Sequence, residues 1–128
     1  MSVSQASPLS NCILIIDDNE DLLAMLAVIL RGRGHRVTAR EKFDELEKEI
    51  THIRPNLILI DKNLGWTDGC GLCKQLRRFP QFASTIILIF SAYAVDPSEI
   101  ERSGADGYFE KPFGMQSFVE NVESYLAM

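Results

Sequence analysis

Several reactive side chains stand just past apolar runs. Asp17 and Asp18 follow Cys12-Ile13-Leu14-Ile15-Ile16, Asp61 follows Leu57-Ile58-Leu59-Ile60, Ser91 follows Thr85–Phe90, and Lys111 lies two residues beyond Asp106–Phe109. A carboxylate where a buried strand leaves the core is half desolvated, rigidly held and open to solvent on one side. That setting suits a nucleophile or a metal ligand, although for Asp61 taken alone a simple cap on the following loop is as good a reading. Three carboxylates brought together repel one another and make sense only around a cation. A hard divalent ion with oxygen ligands fits, and Mg2+ in particular combines a few carboxylates with a substrate phosphate. The substrate is then a phosphoryl group: Asp61 attacks phosphorus in line, metal and Lys111 neutralise the transferring oxygens, and Ser91 donates its hydroxyl hydrogen. Pro112 restricts the backbone around Lys111.

Such a site needs elements whose ends all open on one side. Leu57–Ile60 is apolar throughout and reads as a strand buried on both faces, as does Cys12–Ile16. After Asp17-Asp18-Asn19-Glu20-Asp21, the residues Leu22, Leu23, Leu26, Ile29 and Leu30 recur at helical spacing, and Gly32 and Gly34 supply the stop. His35–Ala39 reads as an edge strand with Val37 as its one strong apolar residue. Phe43, Leu46, Ile50 and Ile53 read as a helix ended by Pro55, and Asp68–Arg78 as another, with Leu72 and Leu76 inward and Phe79-Pro80-Gln81 closing it. Asp96-Pro97-Ser98-Glu99 is a helix start with Asp as N-cap and Pro in the first helical position, and Gly104 stops that helix after barely two turns. The strand Asp106–Phe109 follows. Phe118, Val119, Val122, Tyr125 and Leu126 give a last helix its apolar face. Strand and helix alternate five times, which predicts an α/β fold: a (βα)5 doubly wound parallel five-stranded sheet with helices on both faces. In such sheets ligands bind at the C-terminal strand ends, which is where the reactive residues fall.

Composition narrows the function. With 128 residues, 46% hydrophobic and 24% charged, the chain fits one globular domain, 11–128, behind a Ser-rich tail, 1–10, that is expected to be flexible. The net charge of -5 argues against a nucleic-acid-binding surface. No apolar run approaches a membrane span and no signal peptide opens the chain, so a cytoplasmic location is expected. Three cysteines without a scaffold pattern agree with a reducing compartment.

These residues together resemble the receiver domain of two-component response regulators. The matching elements are Asp17-Asp18, Leu-Ile-Leu-Ile-Asp61 with Gly69 eight residues beyond, Ser91-Ala92, and Lys111-Pro112-Phe113. The resemblance covers nearly everything from Asn11 onward and implies a flavodoxin-like sheet of order 2-1-3-4-5. It implies that Asp61 accepts a phosphoryl group from a sensor histidine kinase or phosphotransfer protein, and that Asp17, Asp61 and the Asn63 backbone carbonyl ligate Mg2+, with Asp18 acting directly or through water. Ser91, the Ala92 amide and Lys111 hold the phosphoryl group. Ser91 and Tyr108 form the switch, which acts on an unknown downstream protein, with no nucleic acid or membrane bound by this chain and the oligomeric state open. On this reading the chain is a signalling switch and not an enzyme with an external substrate.

Departures from the family pattern carry their own expectations. Gly65 stands where proline is usual, implying a more mobile loop, and the segment from Ser91 to Tyr108 is about two residues short, implying a small fourth helix. Ser91 lacks the methyl group of the common Thr, which implies looser coupling to Tyr108. Tyr93 is expected to shield the acyl phosphate from water. A haloacid-dehalogenase-type phosphotransferase also uses a strand-end Asp, but places a second Asp two residues on, where this chain has Asn63. The other alternative is an interaction module that works without phosphorylation. Cys70-Gly71-Leu72-Cys73 reads as small helix residues and not a metal site, since further zinc ligands are missing. Trp66 is expected to be exposed, either as a partner anchor or packed locally. Arg77-Arg78 reads as a solvated helix end, and His35 and His52 as surface residues.

Overall fold

The computed structural model describes residues 11–111 and 114–127. The N-terminal tail and the Pro112-Phe113 part of the Lys111 motif lie outside the described residues. In chain order the elements are β1 (Cys12–Ile16), α1 (Glu20–Gly32), β2 (Arg36–Arg40), α2 (Leu46–Ile53), β3 (Leu57–Asp61), α3 (Gly69–Leu76), a 3-10 turn (Pro80–Phe82), β4 (Ile86–Ser91), α4 (Pro97–Ser103), β5 (Gly107–Glu110) and α5 (Met115–Leu126). The five strands pair in parallel in the order β2-β1-β3-β4-β5. The expected sheet order and the edge position of β2 are both borne out.

Strand alternation divides the core in two. Leu14, Ile16, Ile58, Ile60, Ile87 and Ile89 pack with Ile50 of α2, Leu72, Cys73 and Leu76 of α3, and Ile100 of α4. Ile13, Ile15, Leu57, Leu59, Leu88 and Phe90 pack with Leu23, Leu26 and Leu30 of α1 and Phe118 and Val122 of α5. Both faces of β1 and β3 are therefore apolar because both are covered. Each fully buried Ile or Leu contributes about 1.5–3 kcal/mol relative to exposure.

Local signals set the helix ends. Asn19 caps α1 by accepting from the Leu22 amide, and Asp96 caps α4 by accepting from Ser98, with Pro97 in the first helical position as expected. Gly104 closes α4 at φ 83°, in the left-handed region. The α2 region departs from expectation, since Phe43 precedes the helix. There Glu49 reaches back to accept from the Asp44 and Glu45 amides, so the helix begins only at Leu46, and Phe43 packs on the core from the preceding loop.

Two side chains expected at the surface are packed against other elements, His35 fully and Arg77 in part. His35 is buried, with Nδ1 accepting from the Asn11 amide and Nε2 3.0 Å from Glu123 Oε2. Arg77 is no solvated helix end. Its guanidinium donates to the carbonyls of Gly104 at 2.9 Å, Phe82 at 2.8 Å and Thr85 at 2.7 Å, and to Asp106 Oδ2 at 2.8 Å. It thereby ties α3 to the C-terminus of α4 and to the entry of β4. Arg78 and His52 are exposed, as expected.

Candidate functional site

The parallel sheet brings the ends of β1, β3, β4 and β5 together, and with them the residues singled out by sequence. Asp17 and Asp61 are buried, while Asp18 is exposed. One oxygen from each of the three carboxylates lies within 4.8 Å of the others. Lys111 Nζ donates to Asp17 Oδ2 at 3.0 Å and to Asp61 Oδ2 at 3.4 Å, and sits 4.7 Å above the Phe90 ring. The remaining Asp17 and Asp61 oxygens accept from the backbone: Asn19 N reaches Asp17 Oδ1 at 2.9 Å, and Asn63 N reaches Asp61 Oδ1 at 3.1 Å. Both carboxylates are thus oriented by the loops that follow their strands. Burial pushes the Asp17 carboxyl above its ordinary pKa and the Asp61 charge adds to this, against the Asn19 amide and Lys111.

Ser91, at the end of β4, is buried, and its Oγ accepts from the Tyr93 amide at 3.1 Å. Its carbonyl accepts from the Lys111 amide at 2.6 Å, which fixes the root of the lysine beside the end of β4. Ala92 is exposed next to it. Tyr108 is half-buried, and its hydroxyl donates to the Tyr93 carbonyl at 3.1 Å. The Tyr93 side chain is 73% exposed.

The loop after Asp61 is held by its glycines. A Cβ at Gly69 would lie 2.2 Å from the Asp61 carbonyl oxygen, so only glycine lets α3 start against the end of β3. The Gly69 amide uses that closeness to donate to the Lys62 carbonyl at 2.7 Å. Gly65 adopts φ 83°, which the fixed φ of proline forbids, so the loop takes a path that the family's usual residue does not permit. Trp66 is both exposed, at 45%, and locally anchored, its indole donating to the Glu41 carbonyl at 2.8 Å.

The cysteines are all free and buried. Burial pushes the Cys73 thiol up to about 11 and also raises Cys70, so neither has thiolate character near neutral pH. A separate groove of about 620 Å3 between α1 and α5, lined in part by Val28, Ile29, Met115 and Val119, contains none of the strand-end residues.

Residues 13–123 match the family model described as the response regulator receiver domain. This chain is a response regulator receiver domain. Among similar proteins are the DNA-binding response regulator MtrA of Mycobacterium tuberculosis, 31% identical over 89% of this chain and 50% of its own length. The phosphate regulon transcriptional regulatory protein PhoB of Pseudomonas aeruginosa is 30% identical over 89% of this chain and 51% of its own length. The chain therefore spans about half the length of these curated relatives. A putative response regulator from Chloroflexus aurantiacus superposes with TM-score 0.83 at 32% identity, covering 93% of this chain and 99% of that one. The chemotaxis response regulator CheY4 of Vibrio cholerae shares the fold, with TM-score 0.82 at 22% identity, covering 90% of this chain and 98% of that one. Membership in this family displaces the dehalogenase-type alternative. No described helix is long and apolar enough to cross a membrane.

Sequence reasoning missed Lys62. Its ammonium lies between Asp68, the N-cap of α3, at 2.5 Å and Glu99, in the first turn of α4, at 3.2 Å. No local spacing announces a triad drawn from three elements. The one available signal was strand alternation, which turns residue 62 to the opposite face from Asp61.

Proposed function

We propose that this receiver domain is a phosphorylation-controlled switch in which Asp61 accepts a phosphoryl group from the phosphohistidine of a sensor kinase or phosphotransfer protein. The observation that carries this reading is the placement of Lys111 between the Asp17 and Asp61 carboxylates beside Asp18. An all-oxygen, acidic donor set of this kind fits Mg2+, held by Asp17, Asp18, Asp61 and the Asn63 carbonyl. Bound there, the ion would supply charge neutralisation for the carboxylates and the transferring oxygens.

This chain's own residues supply the rest. A carboxylate oxygen of Asp61 attacks phosphorus in line as the phosphorus–nitrogen bond of the donor breaks, and the electron pair leaves on the imidazole nitrogen. Lys111, already poised beside Asp61 Oδ2, offsets charge on the phosphoryl oxygens. The Ser91 hydroxyl exchanges its contact with the Tyr93 amide for one to a phosphoryl oxygen, joined by the Ala92 amide. Because Tyr93 also accepts from Tyr108, movement of Ser91 reaches the α4–β5 surface through one short loop. That surface would meet the downstream protein, and the reaction would be the domain's own phosphorylation and dephosphorylation.

Intact mass after incubation with acetyl phosphate tests this reading. The expected result is a Mg2+-dependent gain of one phosphoryl group that Asp61→Asn abolishes. A wild type that gains nothing would instead support the phosphorylation-independent interaction module.

A further inference from the structure

Helix α4 is pinned at both ends by cations from outside it. At its C-terminus Arg77 of α3 donates to the Gly104 carbonyl, and at its first turn Glu99 meets Lys62, the residue directly after Asp61. The Lys62 side chain is only 14% exposed, while Asp68 and Glu99 are 49% and 37% exposed. Strand alternation explains the arrangement. Asp61 continues the face of Leu57 and Leu59 toward α1 and α5, so Lys62 continues that of Ile58 and Ile60 toward α3 and α4. Its backbone is fixed as well, with N donating to the Phe90 carbonyl and O accepting from Gly69. A cation held just past the end of β3 therefore grips the first turn of α4.

The Lys62 ammonium contacts both acids at once, Asp68 Oδ2 at 2.5 Å and Glu99 Oε2 at 3.2 Å. Asp68, Cys70 and Glu99 also form a group of possible metal ligands, but Lys62 already satisfies both carboxylates, and burial keeps the Cys70 thiol protonated.

Between Ser91 and α4 lie only residues 92–96. Drawing Ser91 and Ala92 toward a phosphoryl group on Asp61 pulls on that loop, whose far end is the turn bearing Glu99. We infer that Lys62, with Asp68 and Glu99, is a clamp that holds α4 in its unphosphorylated position and so sets how readily the switch is thrown. The clamp contributes free energy to the resting arrangement only, so breaking it shifts the population toward the phosphoryl-bound arrangement. Lys62 acts here as a positioning residue, without touching the reacting atoms.

Since this builds on phosphorylation at Asp61, the test must separate the two proposals. Beryllofluoride with Mg2+ serves as the phosphoryl analogue, and its apparent affinity is measured by calorimetry on the wild type, Lys62→Met, Glu99→Gln and the double variant. Loss of a partly exposed pair is expected to tighten binding by about threefold in each single variant. The double variant should bind no tighter than Lys62→Met alone. A simple field effect gives the opposite pattern, because removing a cation weakens anion binding and removing an anion strengthens it. Single variants that move in opposite directions, or that match the wild type, overturn the clamp while leaving Asp61 as acceptor. A wild type that binds no beryllofluoride overturns both.

Discussion

Gly69 and Gly71 lie two residues apart in α3, yet replacing each by alanine should act in opposite directions. A Cβ at Gly69 would stand 2.2 Å from the Asp61 carbonyl oxygen, 2.9 Å from the Asp61 carbonyl carbon and 2.9 Å from Lys62 Cα. All three are backbone atoms, so no rotamer change relieves the clash. To reach an ordinary C···O contact of about 3.3 Å, α3 and the end of β3 must separate by roughly an ångström. Overpacking of this kind costs about 1–3 kcal/mol, and a clash wholly with backbone belongs at the upper end. At Gly71 the nearest atom is Asp68 Cβ at 3.9 Å, so alanine fits and gains up to about 1 kcal/mol of helix propensity. Urea unfolding should therefore separate the two variants by about 3–4 kcal/mol. The same shift displaces the Asp61 backbone, so Gly69→Ala should also slow phosphorylation by acetyl phosphate while Gly71→Ala leaves it near wild type. Equal stability of the two variants, or a Gly69→Ala that phosphorylates normally, would refute the reasoning.

Three further outcomes are expected. Arg77→Ala removes a guanidinium bonded to four backbone carbonyls and Asp106, and should lower stability by about 3 kcal/mol in urea unfolding, against less than about 0.5 kcal/mol for the exposed Arg78→Ala. In EDTA, Asp18→Asn should raise the melting temperature by relieving repulsion within the carboxylate group, and saturating Mg2+ should cancel that advantage; an unchanged or lower value would mean that Lys111 already compensates all three acids. The Arg33 guanidinium, and then His35, hold the Glu123 carboxyl below its ordinary value despite some burial. Its stabilisation is therefore complete above the ordinary carboxylate range and is lost as pH falls through the lowered value. Glu123→Gln should be less stable than wild type at about pH 7, and the gap should shrink as pH falls below the ordinary carboxylate range, read as urea midpoints; a gap that does not shrink in acid would trace the effect to packing.

The sequence made the fold legible wherever one physical signal dominated. All-apolar strands could only be central, and the Asp96-Pro97 start and Gly104 stop of α4 follow from cap chemistry that acts within a few residues. The site residues were legible because a parallel sheet places every strand's C-terminal end on one side. What the sequence concealed are the long-range polar contacts. Arg77 reads as a helix-end cation until the carbonyls of Gly104, Phe82 and Thr85 arrive around it from other elements. His35 carries no local mark of burial, since its partners Asn11 and Glu123 lie 24 and 88 residues away. Phe43 shared the spacing of α2, but the Glu49 side chain ends the helix before reaching it.

The central claim is that Asp61 is the phosphoryl acceptor, and acyl phosphates offer a chemical label for it. Borohydride reduces an aspartyl phosphate to homoserine, so peptide mapping of the acetyl phosphate-treated, reduced domain reports which carboxylate carried the group. The expected result is homoserine at position 61 alone, requiring Mg2+ during phosphorylation. Homoserine at position 17 or 18, or at no position in a folded, Mg2+-loaded domain, would contradict it.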